Sequence, residues 1–322
     1  MARLELEPFS DEHLEDAARL LAVRHARQRE DEPLLSRRLE DPAAAGEELK
    51  RAWRADGASG AVALRGGRLT GYLVAAPRDD KIWGDNVWVE VAGHAVDEAE
   101  DARDLYAAAA ARWVDEGRTR HYALLPASDA ALIDAWFRLG FGQQQAHAIR
   151  PVPGQTEVRL PDGAEIRRPT EDEIESLLEV DLALPRHQRS SPVFSDRPLP
   201  SVQEIRDEWV DTLSGDEEDV LVGYRDGRPL ACWSVVDAAV SSHFRDLSLP
   251  DRACYLAFAS TVPEARGTGI GVALTDASLA RAAEQGYEVM VTDWRMTNLL
   301  ASRFWPRRGF RTFLLRLYRS IP

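Results

Sequence analysis

The chain has 322 residues, a length that favours two domains of roughly 150 residues over a single hydrophobic core. Apolar residues make up 44% and charged residues 29%, which is ordinary globular composition and excludes a disordered or fibrous protein. Forty Lys and Arg against 54 Asp and Glu leave a net charge of −14, a sign that disfavours nonspecific binding to a nucleic-acid backbone.

In the first half, a short strand-like run ends at Pro8, and a strand–turn–strand pattern follows at residues 61–68 with two glycines in the turn. Glycine supplies the positive φ that such a hairpin turn requires. An Ala-rich amphipathic stretch at 102–116 predicts a long helix, and an apolar strand is predicted at 122–125. A further helix and a strand, which flank Gly140, complete this half.

The second half repeats this order of elements. A capping box at 170–173 opens its first helix, and a hairpin follows. The helical stretch at 271–285 lies 169 residues after its counterpart in the first half, and the apolar run at 289–292 lies 167 residues after the run at 122–125. Agreement at so many spaced points indicates an internal repeat, so the sequence predicts two similar domains.

The domain boundary is predicted within residues 151–163, where prolines and glycines cluster and the apolar periodicity stops. The first domain would then span 1–153 and the second 158–322. The order of elements favours a mixed α/β (α+β) fold class, in which each domain has a mostly antiparallel sheet flanked by helices. The chain starts without an apolar signal segment and contains no run that approaches the ~18 apolar residues of a membrane span, so we expect a cytoplasmic protein without membrane contact.

A glycine-rich turn separates a predicted strand at 255–262 from a predicted helix at 272–284. The turn consists of Arg266, Gly267, Thr268, Gly269, Ile270 and Gly271. Without side chains at the glycines, backbone N–H groups at the start of a helix can converge on an anion, and Arg266 adds a positive charge. The turn therefore predicts a phosphate site. It lacks the Lys-Ser/Thr that ends a Walker A loop, and Val272 stands where the dinucleotide-binding fingerprint needs glycine.

The turn and a later set of residues resemble the GNAT acetyltransferase superfamily over roughly residues 166–319. The acyl-CoA motif of that family, Arg/Gln-x-x-Gly-x-Gly/Ala, corresponds to 266–271 of this chain. The family's later signature of Asn, Ala, Tyr and Gly-Phe corresponds to Asn298, Ala301, Trp305, Gly309 and Phe310. The resemblance implies that acetyl-CoA is the co-substrate and that the turn holds it together with Thr261, Val262 and Asn298.

The first half does not preserve this turn. The counterparts of Arg266, Gly267 and Gly269 at the offset of 169 are Asp97, Glu98 and Glu100. Carboxylates would repel a pyrophosphate, and their Cβ atoms would obstruct its approach to the backbone. We therefore expect no CoA binding in the first half, which resembles the degenerate repeat of tandem-domain members such as mycothiol-synthase-like proteins. It would serve for packing or form one wall of the acceptor pocket.

The resemblance implies direct attack of an amine on the thioester, with a backbone N–H near Val262 stabilising the oxyanion. Trp305 stands where the family has a Tyr that acts as an acid, and an indole N–H is a donor but not a useful acid. Trp305 could still hydrogen-bond the departing sulfur as a catalytic residue, or it could fill the core. The strand before the turn also lacks the carboxylate base often found there. Tyr255, Asp293 and His243 are candidates for proton transfer, and the sequence does not choose among them. The loop at 185–194 is implied to be a wall of the acceptor site.

The leading hypothesis is an N-acetyltransferase that acts on a small-molecule amine, with its chemistry in the second half. The missing acid and base motivate an alternative, a non-catalytic acyl-CoA-binding sensor or regulatory module, and acetylation of a protein amine is a third possibility. The acidic net charge favours a cationic acceptor. We expect a monomer or homodimer without a nucleic-acid partner and without a metal, because the seven His form no i,i+4 pair and have no Cys partners.

Overall fold

The computed structural model of the chain describes residues 3–79, 81–241 and 248–322. By their contacts these residues fall into two compact units. The first unit takes the chain up to His147, a short segment around Ser248 and the C-terminal stretch Thr312–Pro322, and the second takes most of the chain between Ala148 and Arg311. The predicted ranges 1–153 and 158–322 follow the order of the sequence repeat, whereas the units are set by packing, and the C-terminal stretch packs with the first unit.

The elements of the first repeat are β1 (Leu4–Pro8), α1 (Leu14–Asp31), α2 (Pro42–Trp53), β2 (Ser59–Arg65), β3 (Arg68–Ala75), β4 (Asn86–Val89), β5 (His94–Val96), α3 (Asp101–Asp115), β6 (Arg120–Pro126), α4 (Ala130–Arg138) and β7 (Gly142–Pro151). Those of the second are β8 (Ala164–Arg167), α5 (Ile174–Arg189), α6 (Val202–Ser214), β9 (Glu218–Arg225), β10 (Arg228–Asp237), β11 (Ala253–Thr261), α7 (Ile270–Glu284), β12 (Val289–Arg295), α8 (Leu299–Arg307) and β13 (Arg311–Ser320).

In the first unit, β1, β2, β3 and β5 form an antiparallel sheet in that order. Beside it, β4 pairs in parallel with β6, and β6 pairs antiparallel with β13. The core contains large apolar side chains that are fully buried, such as Tyr72 and Trp113. Strand β7 crosses the division between the two units.

In the second unit, β8, β9, β10 and β11 are antiparallel neighbours, and β11 pairs in parallel with β12. Helix α7 packs on β9 and β10, where Gly223 lies beneath Ile270 and the Trp233 Nε1–H donates to Thr275 Oγ1 at 3.2 Å. Helix α5 packs against β10, β11 and α6. The predicted mixed, mostly antiparallel fold is confirmed in both units.

The structure also confirms the internal repeat. Helix α7 begins and ends 169 residues after α3, and the same offset relates β12 to β6, α8 to α4 and β13 to β7. The capping box predicted at 170–173 is present, since the Thr170 N–H and hydroxyl both donate to Glu173 Oε2. In the part of the chain that the structure describes, we find no helix with the length and apolarity needed to cross a membrane.

Candidate active site

The glycine-rich turn follows a strand that has lost one of its neighbours. Strand β11 pairs with β12 only through Ala253–Leu256, and the two strands then part. Over the rest of its length β11 keeps only its pairing with β10, where Ala257 is an extra residue that forms a β-bulge. Side chains along this stretch are partly exposed, in contrast to the buried start of the strand. The parting strands therefore open one edge of β11 to a ligand.

Hydrogen bonding decides which N–H groups this open edge offers. The Val262 N–H donates to the Leu230 carbonyl at 2.9 Å, so it already has a partner within the sheet. This bond would have to break for Val262 to serve as the predicted oxyanion donor. Because N–H directions alternate along an antiparallel strand, the Ala259 and Thr261 N–H groups point to the opposite edge, where β12 has turned away.

The turn itself presents several free N–H groups at the start of α7. Gly267 and Gly269 have φ of +78° and +91°, a region that other L-residues rarely adopt. The first N–H of α7 to be bonded is that of Val272, which donates to the Gly269 carbonyl at 3.0 Å. Within the described residues, the N–H groups of Gly267, Gly269, Ile270 and Gly271 have no such partner. These four donors therefore surround the positive end of the helix dipole.

Two residues of the turn have roles that the sequence did not reveal. Thr268 donates both its N–H and its hydroxyl to the Ala265 carbonyl, at 3.3 and 2.8 Å, so it shapes the turn instead of offering a donor. A Cβ at Gly271 would lie 3.3 Å from the Trp233 ring. This glycine lets α7 pack closely on the sheet, whereas Gly267 and Gly269 are required by the backbone conformation.

A cavity of about 300 Å³ lies between the turn and the C-terminal end of α5. Its lining includes three arginines, of which Arg186 pairs with Glu179 and Arg228 pairs with Glu264. Arg266 has no ion-pair partner among the residues described, so its charge is available to a ligand. Pairing with Arg186 lowers the pKa of Glu179, so this carboxylate stays charged at neutral pH.

Asn298 caps α8, since its Oδ1 accepts the N–H groups of Leu300 and Ala301 at 3.2 Å each. The same oxygen lies 3.1 Å from Nε2 of His187, a residue of α5 that lines the cavity. The sequence predicts a loop at 185–194 as a wall of the acceptor site and gives His187 no role of its own, whereas the structure extends α5 through this residue to Arg189. The repeat could not reveal it, because the contact joins residues 111 positions apart.

Of the remaining predicted residues, Tyr255 and Trp305 are buried and Asp293 is half-buried. The Tyr255 hydroxyl donates to Asp293 Oδ1 at 2.6 Å, which joins two of the candidates for proton transfer in one pair. Trp305 is buried against Phe304, Phe310 and Trp233, with ring centroids 4.9 to 6.3 Å apart, so its indole serves the core. His243 lies outside the described residues. Within the described ranges, no three potential metal ligands come together.

Sequence analysis also missed Asp181, a half-buried residue of α5. Burial, reinforced by the charge of Glu208, raises the pKa of the Asp181 carboxyl to about 6. Carboxyls with such a pKa are sensitive to pH near neutrality. The signal was absent from the sequence because it depends on the packing of α5 against α6.

The counterpart turn in the first unit differs in backbone and in charge. Glu100 has φ −63°, in the right-handed helical region, where Gly269 is left-handed. The carboxylates of this turn form ion pairs with arginines: Asp97 with Arg68, Glu100 with Arg138 and Asp101 with Arg65. Helix α3 therefore starts from a network of ion pairs where the second unit has free backbone N–H groups.

In the first unit, buried side chains fill the gap between β5 and β6. The His94 Nε2–H donates to the Leu124 carbonyl of β6 at 2.9 Å, and the buried Arg24 donates to the His94 carbonyl. Burial, together with the charge of Arg24, lowers the pKa of His94 to about 3, so the ring stays neutral. These side chains occupy the space between strands that β11 and β12 leave open in the second unit.

Residues 183–310 match the model of the acetyltransferase (GNAT) family. A search of the curated proteins found no match. Among solved structures, a GCN5-related N-acetyltransferase from Sphaerobacter thermophilus is similar over 98% of this chain and 95% of its own, with 14% identity and a TM-score of 0.61. A tandem GNAT protein from the clavulanic acid biosynthesis pathway is similar over 99% and 98%, with 16% identity and a TM-score of 0.51.

A glucosamine N-acetyltransferase region of a fungal multi-domain GH3 β-N-acetylglucosaminidase is also similar. The likeness covers 99% of this chain and 38% of the fungal chain, with 16% identity and a TM-score of 0.53. At these identities the structural likeness establishes the fold, including its tandem arrangement.

Proposed function

We propose that the second unit transfers acetyl from acetyl-CoA to the amine of a small molecule. The premises are that residues 183–310 are a domain of the acetyltransferase (GNAT) family and that the chain is an acyltransferase. The observation that supports this most is the row of unpaired N–H groups that runs from the open edge of β11 to the start of α7. Such a row matches a long ligand with amide groups at one end and a diphosphate at the other.

The diphosphate of CoA would bind at the turn. The N–H groups of Gly267, Gly269, Ile270 and Gly271 can donate to phosphate oxygens, and the α7 dipole favours their negative charge. Arg266 can add a charge-assisted hydrogen bond because it has no ion pair to give up among the described residues. No residue of this turn carries a negative charge.

The acyl end of the co-substrate would lie along β11. The Thr261 N–H can hold an amide carbonyl of the pantetheine arm as a neighbouring strand would. The Ala259 N–H, two residues earlier, then faces the thioester carbonyl and can stabilise the oxyanion that forms when an amine attacks. We assign this role to Ala259 in place of Val262, whose N–H is engaged with Leu230.

The acceptor is proposed to be a cationic amine. The net charge of −14 attracts a cation from solution. The half-buried carboxyl of Asp181 and the neighbouring Glu208 add negative charge between α5 and α6. The first unit would not provide a second site, because its turn is occupied by ion pairs and its gap by His94 and Arg24.

The test combines CoA binding by calorimetry with thiol release from acetyl-CoA in the presence of spermidine, glucosamine, tryptamine or L-lysine. Glucosamine is included because one structural relative acts on it by name. We expect CoA to bind and at least one amine to release thiol. Binding without release for every amine would favour the sensor hypothesis, and no CoA binding would overturn the proposal.

A pair of variants tests the site within this assay. Arg266→Ala removes the unpaired guanidinium and should weaken CoA binding roughly 10- to 150-fold, since a hydrogen bond to a charged group contributes about 1.5 to 3 kcal/mol. The matched control is Arg252→Ala, which removes an exposed arginine of the same unit that pairs with Glu288. Equal affinities of the two variants would contradict the assignment of the diphosphate to the turn.

A further inference from the structure

His187 occupies a position between the two strands that part in the second unit. It lines the cavity together with Val262, which follows the end of β11, and Arg266. Through its hydrogen bond it also reaches Asn298, which lies between the end of β12 and the start of α8. A single imidazole therefore lies beside both sides of the opening that the co-substrate and acceptor would share.

The hydrogen bond fixes the tautomer of this imidazole. Asn298 Oδ1 accepts two backbone N–H groups, so the atom at that position is the oxygen and can only accept. The His187 Nε2 at 3.1 Å must therefore carry the proton. In the neutral ring Nδ1 then holds a lone pair, and it has no partner among the described residues.

The other charged groups of the cavity are either carboxylates that are already ion-paired or arginines that cannot accept a proton. Glu179 and Glu264 are paired with Arg186 and Arg228, and in both glutamates hydrogen bonding lowers the pKa of the carboxyl. The arginines, which include Arg266, stay protonated and cannot take up a proton. Among the titratable residues that line the cavity, only the His187 imidazole offers a free nitrogen lone pair that can accept a proton from an amine.

We propose that Nδ1 of His187 is the general base of the transfer and that Asn298 is its positioning residue. This inference rests on the proposed function. The cationic acceptor first releases its ammonium proton to solvent, because a protonated amine has no lone pair with which to attack. The neutral amine nitrogen then bonds to the thioester carbon while a second proton passes from it to Nδ1, and the carbon–sulfur bond breaks as the tetrahedral intermediate collapses. The proton then passes from Nδ1 to the departing sulfur, so the products are an amide and CoA thiol. Asn298 keeps its Nδ2 group for the co-substrate.

The first experiment observes the ring directly. In protein labelled with ¹⁵N-histidine, long-range ¹H–¹⁵N spectra report the tautomer, and loss of a signal in His187→Gln assigns the residue. We expect the Nε2–H tautomer. Asn298→Asp keeps a helix cap and an acceptor but adds a negative charge beside the ring, so it should favour the protonated imidazole and move the pH dependence of the His187 signals upward. An Nδ1–H tautomer, or a titration that does not move, would overturn the proposal.

The second experiment follows kcat/KM against pH with the amine that gives the fastest thiol release. His187→Gln should lower kcat by about 10²- to 10⁴-fold and abolish the acid limb of the profile, while CoA affinity changes less than about threefold. In Asn298→Asp the acid limb should move upward together with the titration seen by NMR. A purely structural role for either residue would not move this limb.

The matched control is Asp129→Ala. Asp129 occupies the position of Asn298 in the first repeat and caps α4 through the Leu132 N–H at 2.9 Å. This variant removes a helix cap in the first unit, a larger disturbance of a cap than Asn298→Asp makes, and it should leave the acid limb in place. If the wild type is active and the acid limb of its pH profile persists in His187→Gln, the assignment of His187 as the base is overturned, but the proposed function is not. Wild type that releases no thiol with any amine would overturn the proposed function and this role together.

Discussion

Gly269→Glu is the sharpest perturbation of the proposed diphosphate site, because it gives the second unit the residue that the first unit has at Glu100. Gly269 has φ +91° and its Cβ would meet only Pro161 Cγ, at 3.5 Å, so the side chain has space but the backbone is strained. The strain of a left-handed non-glycine residue costs about 1 to 2 kcal/mol of folding stability. Gly269→Ala isolates that cost, since alanine carries no charge.

The charge adds a separate effect on binding. A carboxylate about 5 Å from one phosphate charge repels it by about 0.8 kcal/mol in a water-like medium and by about 3.3 kcal/mol at an effective dielectric of about 20. CoA should therefore bind Gly269→Glu about 4- to 250-fold more weakly than Gly269→Ala, measured by calorimetry at low salt. Added salt screens the repulsion and should reduce the difference in CoA affinity between the two variants.

The control for this pair is Glu100→Gly, which changes the corresponding position of the first unit and should leave CoA affinity at the wild-type value. Circular dichroism melts establish that each variant is folded. Equal CoA affinity for folded Gly269→Glu and Gly269→Ala would refute the placement of the diphosphate. Gain of a second CoA equivalent in Glu100→Gly would refute the argument that the first unit is closed by its other ion pairs and by the side chains in its gap.

Two further predictions concern buried groups of the second unit. The pKa of Asp181 is about 6 when folded and 3.8 is its ordinary value, so charging this carboxyl costs stability as pH rises through that interval. Asp181→Asn should then raise the free energy of unfolding, measured by urea titration, by up to about 3 kcal/mol at pH 8 and by about 1 kcal/mol at pH 4.5. An equal effect at the two pH values would contradict the raised pKa of Asp181. Burial raises the pKa of Cys254 to about 12 and that of Cys232 well above its ordinary value, so neither thiol should react with Ellman's reagent at pH 8 until guanidinium unfolds the chain. Reaction of native protein would show that β10 or β11 opens readily.

Much of the fold could be predicted because the chain contains the pattern twice. Helix and strand periodicities that would be ambiguous in one copy gain support when they recur at a fixed offset, and the structure places α3 and α7 at that offset to the residue. The order of elements and the capping box at 170–173 were predictable from local chemistry. Membership of a strand in one unit or the other was not, because strand pairing is decided by contacts far apart in sequence.

The candidate site was predictable only where function depends on the backbone. The glycines of the turn predict a backbone with positive φ, and both Gly267 and Gly269 adopt it. The sequence predicts Val262 as the oxyanion donor and we propose Ala259 instead, because only the structure shows which N–H groups of β11 bond to the neighbouring chain, as that of Val262 does to Leu230. The link between His187 and Asn298 depends on tertiary packing, and no periodicity reveals it.

The position of β13 has a consequence for how the protein is made. The last strand of the chain completes the β4–β6 part of the first unit, where it runs antiparallel to β6. During synthesis the first unit emerges early but lacks this strand until the ribosome has reached Ser320. Native pairing of this edge of β6 therefore depends on residues that are synthesised after nearly all of the second repeat, and truncation of the chain before Arg311 would leave a β6 edge without β13 that invites aggregation.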